Sequence, residues 1–475
     1  MSATAIAAEA AVARTHARRL SLIVAVVAGY ALFVLALLPW TLVQDSWLTF
    51  VSGREIVHHG LPWHDHLAVW THGATWIDQQ WLAQLVFYGL AVVGGVKLAL
   101  LFNAALLVGT MALAMWFARR AGASQEAVFM GAVAGAWLAP WGLQMRAQSL
   151  AAPLFVAVLG LLAADARAPS RRIFWVFPLL LLWANVHGTV ALGAALVALR
   201  GALGPWRSRG VLLAAPLCLF ASPYGPALAG YYRHMLVNPA MSRLVTEWKP
   251  SAPGALTAPF YIAAFAAVWL LGRRAGRTTW FERLALAGTL VAALSAMRSI
   301  VWFGLACVVI LPRLVDGRSG KRRTVGVDAF WRWTALAAAG GATALLVVTA
   351  ARPEAWFLRR WPAPAARAVA VAAAADRSAP VFADDRHSDW LLWTEPGLRG
   401  RIAYDIRFEL LSPAQFAQLA AFRRRTGDGW RRAARGDRVL VFDPRYQSAA
   451  LKAIVAGGRA RVTYRDADIA VVVRS

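Results

Sequence analysis

Apolar runs of bilayer length recur along the chain, and this recurrence constrains the fold more than any other feature. Lipid offers no hydrogen-bond partner, so each run must satisfy its own backbone N–H and C=O groups and becomes a packed helix. The first run covers residues 20–43. Others lie near 95–118, 125–141, 149–165, 173–186, 188–203, 211–222, 256–272, 284–297, 299–312 and 333–350, about eleven in all. Several are short, which implies bilayer thinning, burial within the bundle or a re-entrant path. Of the 475 residues 59% are hydrophobic and 16% charged, a balance suited to lipid. The expected class is an all-α polytopic membrane bundle.

Arg14, Arg18 and Arg19 precede a first run that is too long for a signal-peptide core and lacks a small-residue cleavage site, so it reads as a retained span. Basic residues then alternate between loops. One set, with Arg119, Arg120, Arg167, Arg171, Arg172, Arg200, Arg207, Arg209, Arg273, Arg274, Arg277, Arg283, Arg313, Arg318, Lys321, Arg322, Arg323 and Arg332, carries about 21 positive residues; the other carries about six, among them Arg54, Arg233 and Arg243. This asymmetry predicts a cytoplasmic N-terminus and, with an odd number of spans, an extracytoplasmic C-terminal domain. It also accounts for the net charge of +26, so nucleic acid is not an expected partner. Cys218 and Cys307 both lie in apolar runs and read as packing residues.

The polar chemistry falls on the outer side. The stretch "WTLVQDSWLTFVSGREIVHHGLPWHDHLAVW" reads as a short interfacial helix from about Ser46 to His59, N-capped by Asp45 and ended by Gly60 and Pro62, within an extracytoplasmic loop 43–80. An Asp held at the end of a helix also suits a general base. Arg146 and Arg298 lie between apolar runs, where an unpaired charge is expensive, so each is expected to find a carboxylate or a substrate anion. Lys249, beside Glu247 and Trp248, is a further phosphate candidate or an interfacial anchor. In "WANVHGTV", Gly188 allows a tight reversal that could aim Asn185 and His187 into a cavity. His64, Asp65 and His66 offer ligands for a divalent metal ion, although the spacing matches no strong motif and solvated loop histidines explain them equally well. Trp63, Trp70, Trp76 and Trp81 fit sugar stacking or an aromatic belt.

The order "QDSWLTFVSGREIVHHGLPWHDHLAVWTHGATWIDQQWLAQLVFYGL", "MRAQSL", "LLWANVHGTVALG", "ASPYG", "TEWKPS" and "MRSIVWFGLACVVILPRL" resembles a group of bacterial multi-pass membrane proteins of the GT-C superfamily of glycosyltransferases. The resemblance covers roughly residues 40–315. It implies sugar transfer from a polyprenyl-phosphate donor, with an acidic residue of the first extracytoplasmic loop as base; Asp45 is the matching position. Such loops often follow the Asp with aromatics and a His, whereas this chain has Ser46, Trp47 and Leu48, with its histidines further on.

After about Ala350, "PVFADD", "RIAYDI", "RVLVFD" and "IAVVVRS" read as strands, with helices over 413–424 and 446–455 between them. This predicts a membrane domain over 1–350 and an extracytoplasmic α/β domain over 351–475, joined by a linker at Pro362–Pro364. Within the latter, "DDRHSDW" is a weak site signal, and acceptor binding, a lid or a structural cap are all open. The resulting expectation is a glycosyltransferase of a bacterial inner membrane, embedded among membrane lipids, with a glycan, lipid or protein acceptor. Asp45 would be the base, and Arg146, Arg298, His187, Glu247, Lys249 and Asp78 would bind substrate. A flippase of lipid-linked glycans or a non-catalytic envelope assembly protein are the alternatives.

Overall fold

The computed structural model describes residues 22–237, 245–316, 327–425, 433–434 and 436–474, without the side chains of 208, 236–237 and 327–331. Arg14, Arg18, Arg19, Arg243, Arg318, Lys321, Arg322 and Arg323 lie outside the described residues.

The apolar runs become helices at nearly the expected places. They are α1 (Leu22–Ala36), α2 (Gln44–His59), α3 (Trp81–Arg120), α4 (Gln125–Leu138), α5 (Gln148–Arg167), α6 (Val176–Ala184), α7 (Val190–Ala202), α8 (Leu228–Val237), α9 (Ala258–Arg273), α10 (Trp280–Ser295), α11 (Ile300–Ile310) and α12 (Val327–Ala351). Among the described residues, three helices are long and apolar enough to cross a membrane: Trp81–Arg120, Gln148–Arg167 and Arg332–Ala351. A fourth span results if Gly210–Phe220 and Gly225–Met235, bent by 92°, act together. The remaining runs form shorter helices. α3 is broken at Gly94 and Gly95, the latter at φ 73°, and the Glu354 carboxylate accepts the Val96 N–H at 2.7 Å, capping its second half.

Buried ion pairs hold one end of the bundle. Asp165 binds Arg200 at 2.8 Å and Arg209 at 2.6 Å, and Glu282 binds Arg167 at 2.6 Å and Arg313 at 2.5 Å, so α5, α7 and α10 share charges at that end. The 20 residues of α5 place its other terminus about 30 Å away.

That other terminus faces the C-terminal domain, built from α13 (Ala363–Ala374), β1 (Val381–Ala383), α14 (Ser388–Thr394), α15 (Pro413–Arg424), β2 (Val439–Phe442), α16 (Pro444–Ala456), β3 (Ala460–Arg465) and β4 (Ala470–Arg474). The sheet runs β1-β2-β4-β3, with β1 and β2 parallel and the other pairs antiparallel. Two expectations need correction. "RIAYDI" makes only isolated bridges through Ile402, whereas β3, whose residues alternate between half-buried and exposed, is an additional strand. Pro362–Pro364 is no linker: it opens α13, where a missing N–H costs nothing, beside a buried Trp361.

The first loop is stitched into this sheet. Val69 and Trp70 donate their N–H groups to Ile402 O and Ala403 O at 2.8 and 2.9 Å, and Gly400 N donates to Leu67 O at 3.0 Å. Residues 400–403 in turn pair with β1: Val381 N donates to Arg401 O, and Ala403 N to Val381 O. At the join, Arg407 is buried between Asp65, at 2.7 Å, and Asp405, with its guanidinium 4.2 Å from the Trp76 ring centroid. α2 is therefore no exposed interfacial helix. It lies between α3 and α14, so close to α3 that a methyl at Gly53 would meet Tyr88 Cβ at 2.5 Å.

Arg407→Leu would leave Asp65 and Asp405 as unpaired buried carboxylates. The expected loss is about 3–5 kcal/mol, read as a lowered thermal midpoint of the purified protein in detergent. Adding Asp65→Asn and Asp405→Asn should recover most of it. An unchanged midpoint in the single variant would show that the pair does not hold the join.

Candidate active site

Asp45 is not the N-cap of α2, which begins one residue earlier. Ser46 takes the capping role: its Oγ accepts the Val43 N–H at 3.1 Å, which leaves the Asp45 carboxylate free to face the bundle. The same Ser46 hydroxyl donates to Met145 O at 2.6 Å, and Met145 N donates to Thr41 O at 2.9 Å. These bonds fix residues 144–146 against the start of α2. Arg146 therefore lies beside Asp45, with Nε 3.0 Å from Oδ2.

The Arg146 guanidinium also forms a two-pronged pair with Glu247, Nη1 and Nη2 each donating to a separate oxygen at 2.7 Å, and bonds to Gln144 Oε1. Glu247 lies in a single turn, Thr246–Trp248. Arg298 lies in the next, Met297–Ser299, and Met297 N donates to Lys249 O at 3.0 Å to join them. The Arg298 guanidinium lies 4.6 Å from the Trp248 ring centroid. Asp45, Arg146, Glu247 and Arg298, scattered over some 250 residues of sequence, thus converge.

A cleft with a cavity volume of about 80 Å³ begins here. Arg146, Gln148, Ser149, Glu247 and Arg298 line its polar end, and Leu107, Met111, Leu138, Val301, Leu305 and Val308 continue it as an apolar wall between helices. Burial raises the Asp45 carboxyl above its usual range against the pull of Arg146, with Asp385 of the C-terminal domain adding to the rise. Burial works the same way on Glu247, but Arg146 and Arg298 outweigh it and hold that carboxyl below its usual range.

The other expected residues lie around this centre. His187 is 6% exposed, with Nδ1 2.9 Å from Thr189 Oγ1; burial, then Arg298 and Arg146, push its pKa down to about 3, so the ring is neutral. Its neighbour Asn185 is drawn elsewhere, accepting from Trp81 Nε1 at 3.0 Å and donating to Ala221 O at 2.8 Å. Lys249 joins the centre through its backbone and keeps an exposed side chain. Asp78 stands apart, accepting from Gln84 Nε2 at 2.9 Å and Gln80 N at 3.3 Å.

The expected metal trio is not assembled. Asp65 is saturated, its Oδ1 accepting from Leu67 N and Arg407 and its Oδ2 from Thr71, while the His64 backbone bridges to Thr75 and the His66 ring packs near His72. Among the described residues no three His, Cys, Asp or Glu side chains come close enough to share an ion. Sequence reasoning also passed over Asp385, whose charge acts on Asp45 from across the domain join; its signal was the weak "DDRHSDW" motif.

No family model matches this chain, and no curated protein matches it in sequence. Solved structures do. ArnT from Cupriavidus metallidurans in the apo state matches over 90% of this chain and 93% of its own, with 13% identity and a TM-score of 0.51. The apo oligosaccharyltransferase of Archaeoglobus fulgidus matches over 90% of this chain and 69% of its own, with 12% identity and a TM-score of 0.50. Both are GT-C glycosyltransferases. The chain has a GT-C-like fold. This bears out the fold that the resemblance of the sequence motifs implies.

Burial pushes Asp78 up to about 7 from a reference value of 3.8, and three acceptors around it, Asp78 Oδ2, Gln79 Oε1 and Gln84 Oε1, are buried without a donor. A proton on Asp78 supplies one. The raised value means that ionisation costs folded stability: nothing below pH 3.8, increasingly up to about 7, and fully above. Asp78→Asn should therefore stabilise the protein at pH 8, by at most about 4 kcal/mol, and change little at pH 4. Thermal midpoints at the two pH values check this, and a variant less stable at pH 8 would contradict it.

Proposed function

We propose that the chain is an integral membrane glycosyltransferase of GT-C type. It moves a sugar from a polyprenyl-phosphate donor to a glycan, lipid or protein acceptor at the extracytoplasmic face of a bacterial inner membrane. One observation carries this reading: a cleft with Arg146, Arg298 and Glu247 at its polar end and an apolar wall beyond, opening next to Asp45. That shape suits a lipid phosphate, with charge at the head and hydrocarbon along the helices. The similar oligosaccharyltransferase is by name a transferase of glycans, which fits. The alternation of basic loops supports the sidedness, with the N-terminus cytoplasmic. Among the described residues, the bundle's ion pairs lie near helix ends or breaks rather than along a midplane path, which favours a surface enzyme over a flippase.

In this mechanism Asp45 accepts the proton of the acceptor hydroxyl as its oxygen bonds to the anomeric carbon. The bond from that carbon to the phosphate oxygen breaks, and the prenyl phosphate leaves with the electron pair, inverting the anomeric centre. Arg146 and Arg298 offset the growing phosphate charge. Glu247 occupies the Arg146 fork that a phosphate would use, so the donor displaces it or takes Arg298. Neutral His187 leaves the balance of two guanidiniums and two carboxylates unchanged, and Lys249 stands at the rim.

The test is turnover of radiolabelled polyprenyl-phosphate sugars by the protein in nanodiscs. Asp45→Asn should cost about 10²–10⁴ in rate and Arg298→Ala about 10²–10³. Undiminished turnover by folded Asp45→Asn would remove it as the base. Because Arg146 lowers the Asp45 pKa and the base works ionised, Arg146→Gln should move the acid limb of the rate profile to higher pH. A limb that stays in place would separate Arg146 from the base.

A further inference from the structure

A second cleft, with a cavity volume of about 540 Å³, lies between the start of α2 and the C-terminal domain. Gln44, the residue before Asp45, lines it, as does Asp385, whose charge acts on Asp45. Asp45 thus sits between two clefts. The first has a long apolar wall; the second is lined mostly by charged, polar and aromatic residues, with Leu42 and Val43 at one side.

The carboxylates of the second cleft are already matched. Asp385 pairs with Arg423 at 2.5 Å, Asp443 with Arg386 at 2.9 Å and Arg445 at 2.6 Å, and Asp384 with His387 at 2.9 Å. Arg360 differs. It makes no ion pair among the described residues, its guanidinium lies 4.8 Å from the Trp40 ring centroid, and burial and the charge of Arg386 act against it while Asp468 and Asp443 attract it only from a distance. Tyr446, 82% exposed, also lines this cleft. Rigid forks of donors and acceptors match the paired hydroxyls of a sugar ring, and an open aromatic face packs against its C–H surface. An unmatched guanidinium calls for an anion.

We propose that this cleft binds a saccharide acceptor bearing an anionic substituent, a carboxylate or a phosphate, which pairs with Arg360 while a sugar hydroxyl is presented to Asp45. The proposal rests on the transferase reading and names its acceptor class. Tyr446 would stack on the sugar, and Arg360 would read the charge.

Binding can be measured without a donor, so it fails or succeeds independently of turnover. The full-length protein in nanodiscs is titrated with a galacturonic acid oligosaccharide, a neutral galactose oligosaccharide of equal length, galactose 6-phosphate and inorganic phosphate. Saturation-transfer NMR and intrinsic fluorescence provide the readouts. The acidic oligosaccharide should bind at least about tenfold tighter than the neutral one. Arg360→Gln should erase that preference while keeping neutral binding, and Tyr446→Ala should weaken both sugars. Tight binding of galactose 6-phosphate in place of the galacturonic acid oligosaccharide, with the same response to Arg360→Gln, would assign the substituent as phosphate and support the site. Inorganic phosphate binding as well as any sugar, no sugar binding to folded protein, or binding indifferent to both variants would each overturn it and leave the transferase reading standing.

Discussion

The buried contact of Arg407 with Asp65 and Asp405 is the interaction on which the rest of the arrangement depends. A guanidinium that is 3% exposed is tolerated inside the fold because two carboxylates surround it, and one of them comes from the loop that follows α2. The contact pins that loop to the C-terminal domain, and the paired segments 67–70 and 400–403 extend the hold. α2 is then clamped between α3 and α14, with Asp45 in its first turn. The acidic, aromatic loop thus serves to anchor: Asp65 and Trp76 secure Arg407, and Trp70 packs on Tyr404.

The site itself is a study in shared charge. Arg146 contacts Asp45 and Glu247 at once and lowers the proton affinity of both, while burial and Asp385 push Asp45 the other way. The carboxylate beside the first cleft is thus tuned from two domains. His187, nearby, is kept neutral first by burial and then by Arg298 and Arg146, the two guanidiniums an anionic phosphate would meet.

Much of this was legible in the sequence. Apolar period and length gave the helices, since a backbone in lipid has few alternatives, and the cost of charge among apolar residues singled out Arg146 and Arg298. What stayed hidden depends on partners far along the chain. Asp65 looked like a metal ligand because its counterion, Arg407, lies 342 residues away. Asp45 looked like a cap because the competing role of Ser46 appears only once Met145 O is in place. The 401–406 segment had strand-like residues, but its neighbours engage only Ile402 and its flanks, and β3 escaped notice because its alternation is weakly apolar. Asp385 stood in the weak "DDRHSDW" motif, but nothing local tied it to Asp45, since its effect crosses the domain join.

The pairing of 67–70 with 400–403 also orders events during synthesis. The loop leaves the ribosome long before its partners, and β1 must wait for β2 and β4, the latter ending at Arg474. Until residues 388–403 have been made, α2 lacks one wall and the loop shows an unmatched edge. The carboxylate of α2 therefore waits in an unfinished setting for partners made some 340 residues later, and loss of the strands that hold β1 would disturb a site formed far upstream.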